Sequence, residues 1–158
     1  MSIVLCRIDD RLIHGQVVIG WGRAMGIDLI VLVDDQVATT EWEQELYRMA
    51  VAPEIEVRFV TMADAASLMT DWQSNGKRVL VLTGDLETMA TLRGSNPDAV
   101  QRINLGGIHH RPGRRERLPF LYLTDQELHA LRTLEAGGAV ITAQDLPTTP
   151  PVALRSLA

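Results

Sequence analysis

Short apolar runs alternate along the chain with segments in which apolar residues recur at helical spacing. Near-continuous runs of valine, isoleucine and leucine are typical of strands that are buried on both faces of a parallel sheet. The runs are residues 3–6, 29–33, 57–60, 79–82, 103–105, 120–123 and 139–142, and residues 147–151 lead to a last edge segment. The pattern predicts an α/β fold: an open, twisted, mostly parallel sheet of six to seven strands with helices on both faces.

A threonine followed three residues later by an acidic residue predicts the start of each of three helices. Gly94 and Gly137 are predicted to end two helices. The tryptophans are expected to pack on the core, although Trp21 could instead line a docking surface. The predicted cap pairs are Thr40 with Glu43, Thr61 with Asp64 and Thr124 with Glu127. The other two tryptophans are Trp72 and Trp42, and Trp42 recurs with Leu46 and Met49 at helical spacing.

Composition narrows the class of protein. A chain of 158 residues is expected to form one domain over residues 1–158. Its net charge of −5 argues against a general nucleic-acid or anionic-membrane binder. The single cysteine, Cys6, excludes a disulfide framework, and neither a signal peptide nor a membrane-spanning run is expected. We therefore expect a cytoplasmic globular domain.

Most of the unusual polar residues follow predicted strands, which places them at the edge of the sheet where ligands of open parallel sheets bind. Loops are polar in any protein, so this clustering alone does not separate a binding site from ordinary turns. The residues are Arg7, Asp9, Asp10, Arg11 and His14 after the first strand, Asp34 and Asp35 after the second, Thr83, Gly84 and Asp85 after the fourth, and residues 106–111 after the fifth.

His14 stands just before a predicted helix that begins near Gln16. An imidazole is a good nucleophile toward phosphorus and titrates near neutral pH. The N–H groups at a helix N-terminus stabilise a phosphoryl dianion, and Gly15 would let such a group approach the backbone closely. The loop therefore has the groups that phosphohistidine chemistry requires.

Charged neighbours fit the same chemistry. Arg7 or Arg11 is suited to forked contacts with phosphoryl oxygens. Asp9 or Asp10 is suited to accepting an imidazole N–H and so fixing the tautomer. A lone loop histidine is nevertheless more often a solvated polar residue, so the residues alone leave both interpretations open.

The segment RIDDRLIHGQV, residues 7–17, with Trp21 following, resembles the active-site signature of the IIB components of the bacterial sugar phosphotransferase system, in its mannose/fructose/sorbose branch. A motif of this length is far more specific than a short glycine pattern. The resemblance covers essentially the whole chain. Further matching segments are Val33-Asp34-Asp35, Met49-Ala50 with Pro53, Gly106-Gly107, Arg111-Pro112-Gly113 and residues 147–157.

The resemblance implies a protein-N(pi)-phosphohistidine–sugar phosphotransferase. Its histidine, here His14, accepts phosphate from the IIA component and passes it to a sugar bound by the membrane components IIC and IID. Arg11 is implied as the transition-state stabiliser and Asp10 as a further catalytic residue, with no cofactor and no metal. The residues expected to bind the phosphoryl group are Arg7, Gly15, Gln16, Thr83, Gly84, Gly107 and Arg111.

Two segments depart from the family pattern. Ile108-His109-His110 stands where members commonly carry a methionine and bulky residues, and Thr83-Gly84-Asp85 replaces a more usual Asn/Pro-containing turn. Both affect the surface offered to IIA or IIC rather than the histidine motif.

The rival hypothesis is a non-catalytic regulatory phosphocarrier of the same fold, which docks on partners according to its phosphorylation state. The intact His14 motif favours the transferase. The family resemblance also places the chain at the inner face of the membrane through IIC and IID. A homodimer through an edge strand or a tryptophan-bearing face stays open.

Other site types fit the sequence less well. The Asp9-Asp10 pair resembles a response-regulator pocket, but that chemistry needs a lysine after the fifth strand, and the only lysine is Lys77. No zinc-type spacing appears, Cys6 is expected to face the core, and His109 and His110 are expected to be exposed or at an interface.

A basic stretch is either a solvated loop or a group that flanks the phosphoryl site and meets an acidic partner. Its arginines are Arg111, Arg114, Arg115 and Arg117.

Overall fold

The computed structural model describes residues 2–157, and within them all side chains except those of Gln16 and Val18. The strands are β1 (Ile3–Ile8), β2 (Leu29–Val33), β3 (Glu56–Val60), β4 (Val79–Thr83), β5 (Arg102–Leu105), β6 (Arg115–Leu118), β7 (Leu121–Leu123), β8 (Val140–Ala143) and β9 (Val152–Ala153). Seven of them form one sheet in the order β3-β2-β4-β1-β5-β8-β9. Strand β9 pairs antiparallel with β8, whereas the pairs from β3 across to β8 are parallel. The predicted α/β class and mostly parallel sheet are confirmed.

Helices connect the strands. Residues Gln16–Gly22, between β1 and β2, form a π-helix, a rare wide coil that often marks a functional site. A short 3-10 helix, Leu154–Ser156, follows β9. The α-helices are α1 (Asp35–Ala38), α2 (Glu41–Met49), α3 (Met62–Ser74), α4 (Leu86–Ser95) and α5 (Asp125–Ala136).

The central strands are apolar on both faces because each face packs on a separate core. In β2, Leu29 and Val31 belong to one apolar cluster, and Ile30 and Leu32 belong to the other. Successive side chains of a strand point to opposite faces, so the continuous apolar run serves both cores. Helices α3, α4 and α5 cover the first cluster, and the π-helix with α1 and α2 covers the second, which confirms helices on both faces.

The predicted helix caps have mixed outcomes. The Thr61 side chain accepts a hydrogen bond from the Asp64 backbone, and Thr124 with Glu127 forms a complete capping box. Gly137 ends α5 as predicted. The predicted helix start at Thr40 is confirmed, but the capping box with Glu43 is not formed, and the Thr40 hydroxyl donates to the Gln36 carbonyl instead. The prediction that Gly94 ends a helix is wrong, because Gly94 lies inside α4.

The apolar run at residues 120–123 is not a strand of the main sheet. Leu121–Leu123 forms β7, which pairs antiparallel with β6 in a separate two-stranded sheet. Leu121 and Leu123 are buried against the first apolar cluster. The run therefore packs on the core as a hairpin, and β9 supplies the seventh strand of the main sheet.

The prediction for the tryptophans holds for two of the three. Trp21 and Trp72 are buried, but Trp42 is 64% exposed. Helix α2 packs through Tyr47, whose ring centroid lies 6.4 Å from that of Phe59. With Tyr47 facing the sheet, the side of the helix that carries Trp42 and Met49 faces solvent. No helix in residues 2–157 is long and apolar enough to cross a bilayer.

Candidate phosphoryl site

The candidate site lies at the carboxyl edge of the sheet, where β1 runs between β4 and β5. The loop after β1 is anchored to both neighbours. The Asp9 backbone N–H donates to the Thr83 carbonyl at 2.9 Å, and the Asp10 N–H donates to the Gly107 carbonyl at 2.8 Å. These bonds bring together the polar residues that follow the three strands, as the sequence predicted.

A tight turn over residues 9–12 then reverses the chain. The Leu12 N–H donates to the Asp9 carbonyl at 3.0 Å, and Leu12 has a φ of 60°. This left-handed conformation costs a non-glycine residue about 1–2 kcal/mol. Packing of Leu12 over Gly84, where an added Cβ would come within 2.8 Å of Leu12 Cδ2, holds the turn in place. The turn directs Arg11 and His14 back toward Asp9.

The Asp9 carboxylate is fully buried and forms the centre of the site. On its outer side, Arg11 donates from Nε to Oδ1 at 3.0 Å and from Nη2 to Oδ2 at 2.9 Å. The Nε2 atom of His14 lies 3.4 Å from Asp9 Oδ2. Of the two aspartates considered for orienting the imidazole, Asp9 is thus the one in contact with that ring nitrogen.

On the inner side of Asp9 lies Arg7, which is also fully buried. Its Nη1 donates to Asn104 Oδ1 and to the Gln144 carbonyl, the latter at 2.8 Å. Its Nη2 donates to Asp9 Oδ2 at 3.1 Å and to the Asp145 carbonyl at 3.0 Å, while the buried Nε has no hydrogen-bond partner in the described part of the chain. The Arg7 guanidinium is thus a buried cation held by protein oxygens, and its expected contact with the phosphoryl group stays a prediction.

Trp21 of the π-helix covers this guanidinium. Arg7 Cζ lies 4.9 Å from the centroid of the Trp21 ring, a cation–π contact. The indole Nε1 donates to the Asp145 carbonyl at 3.1 Å. Trp21 is buried, so it closes the inner side of the site rather than lining a docking surface.

Two adjacent glycines leave room for the arginines. A Cβ on Gly106 would lie 2.5 Å from Arg7 Cζ and 2.7 Å from Asp9 Oδ2. A Cβ on Gly107 would lie 3.0 Å from Arg11 Nε. At Gly106 only a residue without a side chain lets the buried Arg7 guanidinium lie this close, whereas a Cβ at Gly107 would require Arg11 to shift by a few tenths of an ångström. Gly107, predicted to bind the phosphoryl group, lies directly against Arg11.

The electrostatics of the cluster keep Asp9 ionised. Burial alone would raise the pKa of Asp9, but hydrogen bonds from His14 and Arg11, together with the positive charges of Arg7 and Arg11, outweigh burial and hold this pKa well below its usual range. The hydrogen bond to Asp9 raises the pKa of Arg11, whereas burial lowers the pKa of Arg7. The site therefore contains a permanent carboxylate between two permanent cations.

His14 is half-buried and directly precedes the π-helix, which confirms a helix start near Gln16. Gly15 caps this helix and is exposed, and apart from its chain neighbours and its own helix backbone no heavy atom of the described residues would lie within 4 Å of an added Cβ. The space above Gly15 is thus open to an approaching group. Gln16 is also predicted to bind phosphate, but its side chain lies outside the described part of the structure.

Asp10, which was predicted to be a catalytic residue, links two loops in the structure. Its Oδ2 accepts from the His109 backbone N–H at 2.7 Å, and its Oδ1 lies 2.5 Å from His109 Nδ1. Arg114 donates to the His109 carbonyl at 2.9 Å. The exposed neighbour His110 packs edge-on against the Tyr122 ring instead. Residues 108–110, the segment that differs from the family pattern, therefore connect the loop after β1 to the loop after β5.

Three further residues predicted to bind the phosphoryl group are placed as follows. Thr83 is buried and its hydroxyl donates to the Asp85 carbonyl at 3.0 Å, and Gly84 lies beneath Leu12. Arg111 lines a cavity of about 790 Å³ between the N-terminal ends of α4 and α5. No residue of the segment 7–17 lines this cavity. Thr83 and Gly84 thus support the loop, and Arg111 faces a different cavity.

Most of the basic stretch is neutralised within the protein. Three of its four arginines form ion pairs with acidic residues of α5, which favours a structural loop over a surface that attracts an acidic partner. Arg111 has no ion pair among residues 2–157. The pairs are Arg114 with Glu127 at 2.9 Å, Arg115 with Asp125 at 2.7 Å, and Arg117 with Asp125 at 2.9 Å.

Three residues that complete the site were not predicted from the sequence. Asn104 binds Arg7 from within β5, and its signal was a polar residue inside a buried apolar run. Gln144 and Asp145 directly follow β8, so the rule that ligands bind beyond the carboxyl ends of strands would have found them.

Residues 2–157 contain no group of three or more His, Cys, Asp or Glu side chains arranged to hold a metal ion. Cys6 is buried in the core, as predicted, and burial raises the pKa of its thiol to about 12. Such a thiol is protonated and unreactive at neutral pH.

Known proteins are similar to this chain in both sequence and architecture. The family model described as "PTS system sorbose subfamily IIB component" matches residues 3–157. The chain belongs to this family. It is 32% identical over 156 residues to the N-acetylgalactosamine-specific phosphotransferase enzyme IIB component 2 of Escherichia coli, which covers 99% of this chain and 98% of that protein.

A solved IIB structure shares the fold over nearly the full length. The IIBSor domain of the sorbose permease from Klebsiella pneumoniae superposes with a TM-score of 0.89 at 29% identity, covering 99% of this chain and 96% of that one. The mannose-specific EIIAB component of Escherichia coli is 27% identical over 158 residues, which are 99% of this chain and 48% of that longer protein.

Membership of the IIB family establishes the general function. PTS IIB components receive a phosphoryl group from a IIA component and transfer it to sugar, and they work with membrane components of the IIC and IID types. This chain is accordingly a phosphotransferase component of sugar uptake.

Proposed function

We propose that Nδ1 of His14 receives the phosphoryl group from a phosphohistidine of IIA, so that the chain acts as a protein-N(pi)-phosphohistidine–sugar phosphotransferase. The contact of 3.4 Å between His14 Nε2 and Asp9 Oδ2 carries this proposal. A carboxylate acceptor favours the tautomer with the proton on Nε2, which puts the nucleophilic lone pair on Nδ1. The open space above Gly15 supports the approach of a donor from solvent.

The two transfers balance without water or a cofactor. The P–N bond of the donor imidazole breaks as the Nδ1–P bond of His14 forms, and the donor regains its electron pair. Asp9 then stabilises the positive charge of an imidazole that is substituted on both nitrogens. In the second transfer the Nδ1–P bond breaks as a sugar hydroxyl oxygen bonds to phosphorus, and the hydroxyl proton leaves to solvent.

Arg11 is our proposed stabiliser of the transferring group. Its guanidinium is 29% exposed and shares the Asp9 carboxylate with His14, so it lies beside the imidazole with access to solvent. Charge on a transferring phosphoryl group spreads over the equatorial oxygens, and an arginine fork is suited to these oxygens. The backbone at Gly15 and Gln16, which opens the π-helix, is proposed to add N–H donors.

We further propose that residues 1–158 act as one IIB domain in the cytoplasm, which meets the membrane through IIC and IID. The EIIAB relative, whose name joins the two components in one protein, supports a IIA partner. We propose that the membrane components select the sugar; relatives of similar identity to this chain are named for different sugars, namely N-acetylgalactosamine, sorbose and mannose.

The test is the intact mass of the protein after incubation with phosphoenolpyruvate, the two general phosphotransferase proteins and a cognate IIA. We expect an acid-labile gain of one phosphate. His14→Ala should abolish the gain and retain the fold, since a half-buried loop histidine contributes little packing. Adding membranes with IIC, IID and sugar should then remove the phosphate from the wild-type protein.

The matched control is His129→Ala, which removes an exposed histidine from α5 and should leave labelling unchanged. Labelling of the His14→Ala variant would overturn the assignment. Phosphate that stays on His14 in the presence of the membranes and sugar would instead favour the regulatory phosphocarrier.

A further inference from the structure

Arg11 lies between two carboxylates of different character. Its Nη2 is 2.9 Å from Asp9 Oδ2 and 3.3 Å from Asp145 Oδ1. The Asp9 side chain is fully buried, whereas that of Asp145 is 31% exposed. Within residues 2–157, the Asp145 carboxylate has Arg11 as its hydrogen-bond and ion-pair partner. Asp145 therefore holds the solvent side of the guanidinium.

The backbone of Asp145 is fixed from the interior. Its carbonyl accepts from Arg7 Nη2 at 3.0 Å and from Trp21 Nε1 at 3.1 Å. The preceding carbonyl, of Gln144, accepts from Arg7 Nη1 at 2.8 Å. These bonds do not involve the carboxylate, so the side chain can leave Arg11 while the main chain stays in place.

A phosphoryl group on His14 would compete for the same guanidinium. The group is a dianion with three oxygens and can accept two charge-assisted hydrogen bonds from one arginine, whereas the Asp145 carboxylate makes a single contact at 3.3 Å. Asp9 is held by Arg7 and by the Arg11 backbone N–H, so it is the less exchangeable of the two partners. The Asp145 carboxylate is the one that an incoming anion would displace.

We propose that Asp145 is a positioning residue that holds Arg11 while His14 is unphosphorylated, is displaced from Arg11 when His14 becomes phosphorylated, and so sets the equilibrium of phosphoryl exchange with IIA. The inference rests on the proposed role of His14 and Arg11. The competing carboxylate destabilises the phosphorylated state relative to a site without it. The phosphoryl group therefore remains easy to pass onward to the sugar.

The test is Asp145→Asn, which keeps the backbone carbonyl and the side-chain shape but removes the charge. The readout is the equilibrium distribution of phosphate between IIA and this chain, measured by intact mass over a range of IIA ratios. We expect a shift toward the phosphorylated chain of about two- to fivefold, the range of a partly exposed ion pair. Transfer from phosphorylated His14 to sugar should slow in proportion.

Two controls separate this role from a general charge effect. Asp125→Asn removes an exposed carboxylate that pairs with Arg115 and Arg117, and it should leave the equilibrium unchanged. In an Arg11→Ala background, allowed to reach equilibrium, Asp145→Asn should have no effect, because the two residues act as one unit.

Each other outcome is decisive. An unchanged or opposite shift in Asp145→Asn, or the same shift in the Arg11→Ala background, would overturn the inference. Failure to label His14 in the wild-type protein would instead count against the proposed function itself.

Discussion

The inner and outer sides of the Asp9 carboxylate are held by arginines in contrasting environments. Arg7 is fully buried, and both of its terminal nitrogens donate to protein oxygens. Arg11 is 29% exposed and shares one nitrogen between Asp9 and Asp145. A buried guanidinium cannot move without leaving N–H groups unsatisfied, whereas water can replace a lost partner of an exposed one. The same residue type therefore gives rigidity on one side of Asp9 and exchangeability on the other.

The largest expected effect is on the inner side. Arg7→Leu should lower the free energy of unfolding by about 3–5 kcal/mol, because it leaves the buried Asp9 charge without its interior partner. Urea unfolding followed by circular dichroism measures this. Arg102→Leu, which removes an exposed arginine from β5, is the matched control and should change stability by less than about 0.5 kcal/mol. Equal stability of wild type and Arg7→Leu would remove the contrast between the two arginines.

On the outer side we expect a larger effect on the rate of phosphoryl transfer than on the free energy of unfolding. Arg11→Ala should slow phosphoryl transfer from IIA by about 10²–10³-fold, the range for loss of one oxyanion-stabilising donor. Its cost in stability should be about 1–2 kcal/mol, since Arg7 still pairs with Asp9. Single-turnover labelling and urea unfolding measure the two quantities. An unchanged rate would show that Arg11 has no part in the transfer.

The smallest effect concerns acid stability. The pKa of Asp9 is held below its unfolded value, so its contribution to stability is complete above about pH 4 and is lost as the pH falls toward the folded-state pKa. In Arg11→Ala this pKa should lie closer to the ordinary value, and the loss of stability between pH 5 and pH 3 should be smaller. Urea midpoints at several pH values in this range test the difference. Parallel curves for the two proteins would contradict a shared role of the arginines in ionising Asp9.

The fold was predictable where a single local cause decides the structure. Strands β2 and β4 are apolar throughout because both faces are covered, and such a run has one simple explanation. Thr61 and Thr124 cap helices through bonds that involve only residues three apart in sequence. Trp42 was misplaced because Trp42, Leu46 and Met49 recur at helical spacing, whereas the packing of Tyr47 on Phe59 turns a different side of α2 toward the sheet.

In the site, too, the features that depend on neighbouring residues in the sequence were predictable, and those that depend on distant residues were not. The residues of the His14 loop are consecutive, so a motif can reveal them. The environment of Arg7 depends instead on Asn104, Gln144 and Asp145, which lie 97 to 138 positions away. Pairing of β5 and β8 brings these residues to Arg7, and no local pattern shows that the arginine will be enclosed.

Trp21 and the carbonyls of residues 144 and 145 enclose a guanidinium that is synthesised long before two of these three partners. β1 is synthesised before β4 and β5 but lies between them in the sheet, so both of its edges stay unpaired until those strands have followed. The acceptor atoms of Gln144 and Asp145 emerge 137 and 138 residues after Arg7. An interrupted chain that stops before them would display the complete histidine loop on an unfinished charge cluster. The order of synthesis thus makes completion of the charge cluster around His14 depend on residues that follow the histidine loop by well over a hundred positions.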